Sequence, residues 1–239
     1  MRTLLPAPIL AAVLLGCATT SADHPVATVW QMRDATQVAG HRTEVVGSPK
    51  VSGAGAGAAI VFDGQGDGIF VAANPLADWR AFTIEVRFKP DASGGEEQRF
   101  LHLEDDAKHR VLMETRVRDQ QWSLDTFLFQ DPDHKLTLLD RSKRHPTDRW
   151  YWVALVYDGA TMSSYVNGVL ELSGEVEFAP MAPGRTSIGS LRSRWRPRGC
   201  CSTATRWRRS LRGTPATSSN ATCICTRGRS GPMASSTGR

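Results

Sequence analysis

The sequence predicts an all-β protein whose main domain is a two-sheet antiparallel β-sandwich of the jelly-roll type. Short segments of alternating apolar and polar residues recur between residues 26 and 190, separated at regular spacing by clusters of Gly, Asp, Asn or Pro. No window of a dozen residues shows a helical stripe. About ten or more short strands with such turns are typical of a sandwich or jelly roll.

The N-terminus has the features of a signal peptide over residues 1–16. Arg2 supplies a positive charge, and the apolar run over residues 4–15 is too short to span a bilayer. Leu14-Leu15-Gly16-Cys17 resembles a bacterial lipobox, in which the cysteine thiol carries diacylglycerol. Ordinary cleavage after Ala22 is the alternative. We therefore expect an exported lipoprotein, anchored through Cys17 in the periplasm or at the cell surface, with residues 17–25 as a linker.

Seven strands are predicted in the first part of the domain, and the clearest covers residues 82–89. Apolar and polar residues alternate there without a fault, which is the period of a half-buried strand, and Pro90 ends it. The other six are residues 58–62, 69–72, 100–103, 111–117, 122–129 and 136–139.

A three-strand meander follows over residues 149–172. Residues 150–157 are apolar on both faces, which predicts a central strand covered on both sides. Asp158-Gly159 and Asn167-Gly168 tolerate the positive φ of tight hairpin turns, so residues 162–166 and 169–172 are the returning strands.

These motifs carry a family resemblance. They are Phe62-Asp63-Gly64 with Asp67, Phe82-Thr83-Ile84-Glu85, the apolar run to Tyr157 with Asp158-Gly159, Tyr165-Val166-Asn167-Gly168, and Thr186-Ser187-Ile188-Gly189. Over about 160 residues their order and spacing resemble the laminin-G-like, concanavalin-A-like lectin domains, which share the glucanase jelly roll. The resemblance implies two antiparallel sheets packed face to face, one of them concave, and a glycan-binding or adhesive role.

The tail, residues 191–239, differs sharply in composition from the domain. From Phe178 onward there is no Asp, Glu or Lys, yet that stretch holds twelve of the 29 basic residues. The net charge of +5 therefore combines a mildly acidic domain with a basic tail, and it does not indicate nucleic-acid binding.

The tail also departs from the family pattern, which continues after Ile188-Gly189 into a last apolar strand. A frameshift near Leu191 is one hypothesis, since a GC-rich gene read out of frame gives this composition. A basic arm for polyanions and a metal or disulfide site at Cys223-Ile224-Cys225 are the alternatives. In each case we expect the tail to be disordered and a sheet edge to lack its closing strand.

Four charged residues form the candidate ligand-binding site: Arg99, Glu114, Arg116 and Asp125. A two-residue turn at Asp119-Gln120 would place Glu114 opposite Asp125, with Arg116 two residues along and Arg99 on the adjacent strand. Leu101 and Leu112 would lie beside these charges.

This arrangement has three interpretations. It is a solvated face with cross-strand ion pairs, a glycan site using Phe127 or Phe129 as an apolar platform, or the carboxylate pair of a retaining glycoside hydrolase, which needs a spacing of about 5–5.5 Å. The Glu-x-Asp-x-x-Glu strand of the concanavalin-like glucanases is absent from the sequence, so an enzyme is the less favoured alternative.

Asp63 and Asp67 are the candidate metal ligands. They flank glycines in one turn, and the resemblance implies a structural calcium near that loop; hard oxygen ligands suit Ca²⁺. The histidines form no ligand pairs, and His102 is predicted to lie on the core face or at a sheet edge. The sequence thus predicts an extracytoplasmic module that binds a glycan or another surface polymer and meets the membrane only through its lipid. A structural or adhesive module without a small ligand is the third possibility.

Overall fold

The computed structural model describes residues 26–93, 95–191 and 220–229, the last ten and residues 26, 190 and 191 as backbone only. The predicted signal peptide, the linker and the lipidation site Cys17 lie outside the described residues. Within the described ranges, no helix is long and apolar enough to cross a bilayer.

The described residues form strands joined by turns, with a single 3₁₀ turn at Gly55–Gly57. The strands are β1 (Val26–Trp30), β2 (Gln37–Val38), β3 (His41–Val46), β4 (Lys50–Ser52), β5 (Ala59–Phe62), β6 (Gly68–Val71), β7 (Ala81–Lys89), β8 (Glu97–Asp105), β9 (Arg110–Arg118), β10 (Gln121–Phe129), β11 (Lys135–Leu139), β12 (His145–Pro146), β13 (Tyr151–Tyr157), β14 (Thr161–Val166), β15 (Val169–Glu175), β16 (Gly184–Leu191) and β17 (Asn220–Arg229). The all-β class and the predicted strands are confirmed.

Two antiparallel sheets make up the sandwich. The first has the order β15-β14-β13-β7-β17-β5-β4, with β1 also paired to β17. The second has the order β11-β10-β9-β8-β16-β6-β3-β2, with β12 also paired to β10. We call the side of each sheet that is turned away from the core its outer face.

The core lies between the sheets and is built by strand alternation. In β7 the side chains of Phe82, Ile84, Val86 and Phe88 are buried while their neighbours are only half-buried. Phe88 stacks on Phe100 of the second sheet with ring centroids 4.7 Å apart. Trp122 packs edge-on against Phe88 and Tyr151, each at 5.0 Å. Large aromatic side chains thus hold the two layers together, and the core has no cysteine among the residues whose side chains the structure describes.

The β9–β10 hairpin has the predicted two-residue turn. Asp119 and Gln120 both have positive φ, 53° and 57°, and Arg118 pairs with Gln121. The same register places Glu114 opposite Asp125, as predicted. Both central residues of this turn therefore adopt the left-handed conformation, which Gly, Asn and Asp tolerate better than Gln does.

We expect Gln120→Gly to raise the free energy of unfolding by about 0.5–1 kcal/mol, because glycine adopts this conformation without steric cost. The hydrogen bonds that Thr147 donates to the Gln120 carbonyl involve only backbone of residue 120 and remain. Urea unfolding measures the change. Gln121→Gly, one residue along in β10, is the control and should destabilise; a loss of stability in Gln120→Gly would contradict the prediction.

The structure differs from the sequence prediction in the tail. Residues 220–229 form β17, which pairs with β7 over nine residues and with β5 and β1 on its other side. The edge that was expected to lack a partner is therefore paired. The physical reason is local: residues 220–226 carry no charge and include Thr222, Ile224 and Thr226, which suit a strand, whereas the composition of the whole tail is dominated by arginine. Residues 192–219 and 230–239 lie outside the described residues, and the frameshift stays a hypothesis.

Candidate functional site

The four predicted site residues meet on the outer face of the second sheet, where they form what we call the charged cluster. Arg99 Nε donates to Glu114 Oε1 at 2.7 Å, and Arg116 Nε donates to Asp125 Oδ2 at 2.8 Å. Arg116 Nη2 also lies 3.0 Å from Glu114 Oε2, and its Nη1 contacts Glu97. One guanidinium therefore bridges both central carboxylates.

The two carboxylates are buried although they point away from the core. Glu114 and Asp125 are each 2% exposed, because the longer arginine side chains lie over them. Burial raises the pKa of Asp125, and the nearby Glu114 charge adds to this, while the hydrogen bond from Arg116 opposes it. The cross-strand ion pairs of the first interpretation are present, but Glu114 and Asp125 at the centre of the cluster are buried and not solvated.

This burial decides what the cluster can do. A retaining hydrolase needs a carboxylate that reaches the anomeric carbon and an acid that reaches the leaving oxygen. Here both carboxylates are covered and engaged by guanidinium groups. The Arg99 and Arg116 side chains above them keep 20% and 14% of their surface exposed, so a ligand on this face would meet the arginines before the carboxylates.

A small cavity of about 30 Å³ lies beside the cluster and is lined mostly by arginine. Its lining residues are Arg116, Arg118, Gln121, Ser123, Arg141 and Arg144. Carboxylates at the margin partly balance these charges: Arg141 Nη1 lies 2.7 Å from Glu96, while Arg118 and Arg144 lie 3.6 and 3.9 Å from Asp119. Such exposed pairs contribute little to stability.

The predicted aromatic platform lies on the same outer face. The rings of Phe127 and Phe129 are 6.0 Å apart, and the guanidinium of Arg110 lies 4.3 Å above Phe129. Arg110 is farther from Phe127, at 5.9 Å. Phe127 therefore offers the less covered ring of the two.

His102 also lies on this outer face, not on the core face or at a sheet edge as predicted. A β-bulge between Arg99 and Leu101 shifts the alternation of β8 by one residue. As a result Leu101 turns into the core, away from the charges beside which it was predicted, and His102 lies opposite Leu112. Burial lowers the pKa of His102 to about 4, and the Arg99 charge adds to the effect.

Asp63 and Asp67 stabilise the loop between β5 and β6. Asp63 Oδ1 accepts N–H groups of Gln65, Gly66 and Asp67, each at 2.9 Å, and these bonds outweigh burial and lower the pKa of Asp63. Asp67 Oδ1 accepts the Ser48 N–H at 2.7 Å. Among the described residues no group of three or more His, Cys, Asp or Glu could hold a metal. The two aspartates alone do not form a calcium site, and calcium binding stays a prediction.

The sequence prediction missed a groove on the outer face of the first sheet. Its volume is about 580 Å³, and its lining includes Thr83, Glu85, Trp152, Ala154, Tyr165 and Asn167; we call it the aromatic groove. Trp152 is 51% exposed, so the prediction that β13 is covered on both faces is wrong. The sequence contained a signal for this groove, because an apolar outer face with aromatic residues is as typical of an open binding surface as it is of a covered strand.

Comparison with known proteins defines the class. The family model of the concanavalin A-like lectin/glucanases superfamily, laminin G type, matches residues 63–199, more than half of the chain. The chain belongs to this family. A search of curated proteins gave no match.

Solved structures show the same fold at low sequence identity. Domain 4 of AbnA, an extracellular arabinanase of Geobacillus stearothermophilus solved with arabinotriose, superposes with a TM-score of 0.55 at 16% identity, over 87% of this chain and 95% of that one. The Crh5 transglycosylase gives 0.53 at 17% identity, over 86% and 85%. The binding domain of botulinum neurotoxin serotype D gives 0.54 at 12% identity, over 85% of this chain and 48% of that one.

Proposed function

We propose that the domain is a glycan-binding module whose outer face on the second sheet takes an acidic polysaccharide. One observation carries the proposal: Glu114 and Asp125 are 2% exposed beneath Arg99 and Arg116, whose side chains keep 20% and 14% of their surface exposed beside a cavity lined by further arginines. The carboxylates then act as positioning residues that hold the arginines in place. Guanidinium groups bind carboxylate or sulfate oxygens through two parallel hydrogen bonds.

The surroundings of the charged cluster suit an extended ligand. The arginine-lined cavity lies on one side of the cluster, and the Phe127 ring lies on the same face two residues from Asp125 along β10. A sugar ring can pack on Phe127 while its acidic substituent meets the arginines. The fold supports a saccharide ligand by analogy, since the AbnA domain with the same fold was solved with arabinotriose.

We expect Arg99→Gln to weaken binding of an acidic polysaccharide at least fivefold, because it removes one partly exposed guanidinium from the centre of the face. Glu114 keeps its contact with Arg116 at 3.0 Å, so the fold should survive. Isothermal titration with polygalacturonate and alginate at low salt measures the affinity, and added salt should weaken binding to the unmodified protein.

Arg33→Gln is the matched control, since Arg33 is an exposed arginine in the turn after β1. It should leave the affinity unchanged. An equal loss in both variants would show a diffuse charge effect and remove the proposed site. If the unmodified domain binds neither acidic polymer, an acidic-glycan function is wrong.

A further inference from the structure

We propose that the aromatic groove is a second saccharide site, independent of the charged cluster, and that it selects uncharged oligosaccharides. It lies on the outer face of the first sheet, the opposite side of the sandwich. Its volume of about 580 Å³ falls within the roughly 300–1,000 Å³ of small-molecule sites, which suits a short oligosaccharide.

The strand register explains why a groove forms there. Glu85 of β7, Ala154 of β13 and Tyr165 of β14 lie side by side across three strands. Because Ala154 has only a methyl group, a depression forms between the longer side chains of Glu85 and Tyr165. Trp152, two residues along β13 on the same face, stands at one end of the depression, and Val156 stands at the other. The groove is therefore set by the backbone of the central strands.

Trp152 is suited to stack on a sugar ring. The register pairs it with Arg87, yet the Arg87 guanidinium lies 4.4 Å from the centre of the Trp150 ring instead. The cation is thereby drawn onto the neighbouring tryptophan, and Trp152 remains 51% exposed. A large, half-exposed ring beside a groove offers apolar area to the C–H face of a pyranose.

The polar groups of the groove are matched to hydroxyls. Asn167 Oδ1 accepts the Trp152 backbone N–H at 3.0 Å, which fixes the amide and leaves its nitrogen to donate to a ligand. The Glu85 carboxylate accepts hydroxyl protons from the floor of the groove.

Charge separates the two sites. Glu85 is the one charged residue in the described lining, and no Lys or Arg is part of it. The Glu85 carboxylate would repel a carboxylate or sulfate there, whereas it can accept hydroxyl protons of a neutral sugar. The charged cluster, with its partly exposed arginine side chains, has the opposite preference.

The test measures the binding of four neutral tetrasaccharides by tryptophan fluorescence and isothermal titration. The four are cello-, xylo-, malto- and arabinotetraose. We expect at least one to bind, and Trp152→Ala to weaken it at least tenfold, with Trp152→Phe intermediate. Val51→Ala is the control: Val51 is 45% exposed on β4, at the far edge of the same sheet and outside the groove lining, so its truncation should change the affinity less than twofold.

Different variants test the proposed function and this second site, so one proposal can be wrong while the other holds. Arg99→Gln should leave tetrasaccharide binding unchanged, and Trp152→Ala should leave polygalacturonate binding unchanged. The proposal is overturned if none of the four tetrasaccharides binds at millimolar concentration, or if Val51→Ala and Trp152→Ala lose affinity equally. It is also overturned if Trp152→Ala changes the oligomeric state by sedimentation without changing saccharide affinity, since the groove would then be an interface between copies.

Discussion

Arg116→Met is expected to lower the free energy of unfolding by about 3–5 kcal/mol, the usual cost of leaving buried charges without their partner. Arg116 is the residue that contacts both Glu114 and Asp125, whose side chains are 3% exposed. Methionine keeps much of the apolar stem but donates nothing. Two like charges would then face each other across β9 and β10, and the expected loss appears as a lower urea midpoint with an unchanged slope.

Removing the charges of Glu114 and Asp125, which have lost their partner, should restore stability. This recovery distinguishes the charge effect of Arg116→Met from a loss of packing. In the Arg116→Met background, Glu114→Gln with Asp125→Asn is expected to recover at least half of the loss, because neutral amides cost less to bury. Arg118→Met is the control: Arg118 is 73% exposed and lies 3.6 Å from Asp119, so its change should stay within about 0.5 kcal/mol. No recovery in the triple variant would show that Arg116 stabilises the sheet by packing alone.

Acidification from pH 7 to pH 4.5 is expected to destabilise the unmodified protein by about 2 kcal/mol more than the His102→Gln variant. Burial lowers the pKa of His102 from 6.5 to about 4 in the folded state. Below pH 6.5 His102 binds a proton in the unfolded chain, whereas His102 in the folded chain stays neutral until the pH approaches 4. This contribution to stability is therefore present above pH 6.5 and is lost as the pH falls towards 4.

Urea unfolding of both proteins at several pH values isolates this residue, since the other titrating groups are shared. His134 supplies a control of opposite sign: its hydrogen bond with Asp131 raises the His134 pKa, so that contribution is present at low pH and is lost as the pH rises through the raised value. Parallel pH dependence in the unmodified protein and His102→Gln would mean that His102 is hydrated in the folded protein.

The sequence by itself determined the features that depend on period and on turn chemistry. Alternation over residues 82–89 predicts β7 and its buried face, because side chains in a strand point to opposite sides in turn. The Asp119-Gln120 turn sets the register of β9 and β10, so the pairing of Glu114 with Asp125 followed without knowledge of the rest of the sheet. Family motifs at both ends of the domain then indicated the sandwich.

Only the tertiary structure decided burial and the assignment of faces. The bulge in β8 turns His102 outward and Leu101 inward, and the alternation of residues in the sequence does not predict such a one-residue shift in register. The cover over Glu114 and Asp125 comes from arginines on β8 and β9, and the aromatic groove needs three strands in register around Ala154. Local composition suits residues 220–229 to a strand, but their place between β7 and β5 depends on pairing with strands that are distant in the chain. Local sequence fixes which way a side chain can point, whereas what covers it depends on neighbours that are distant in the chain.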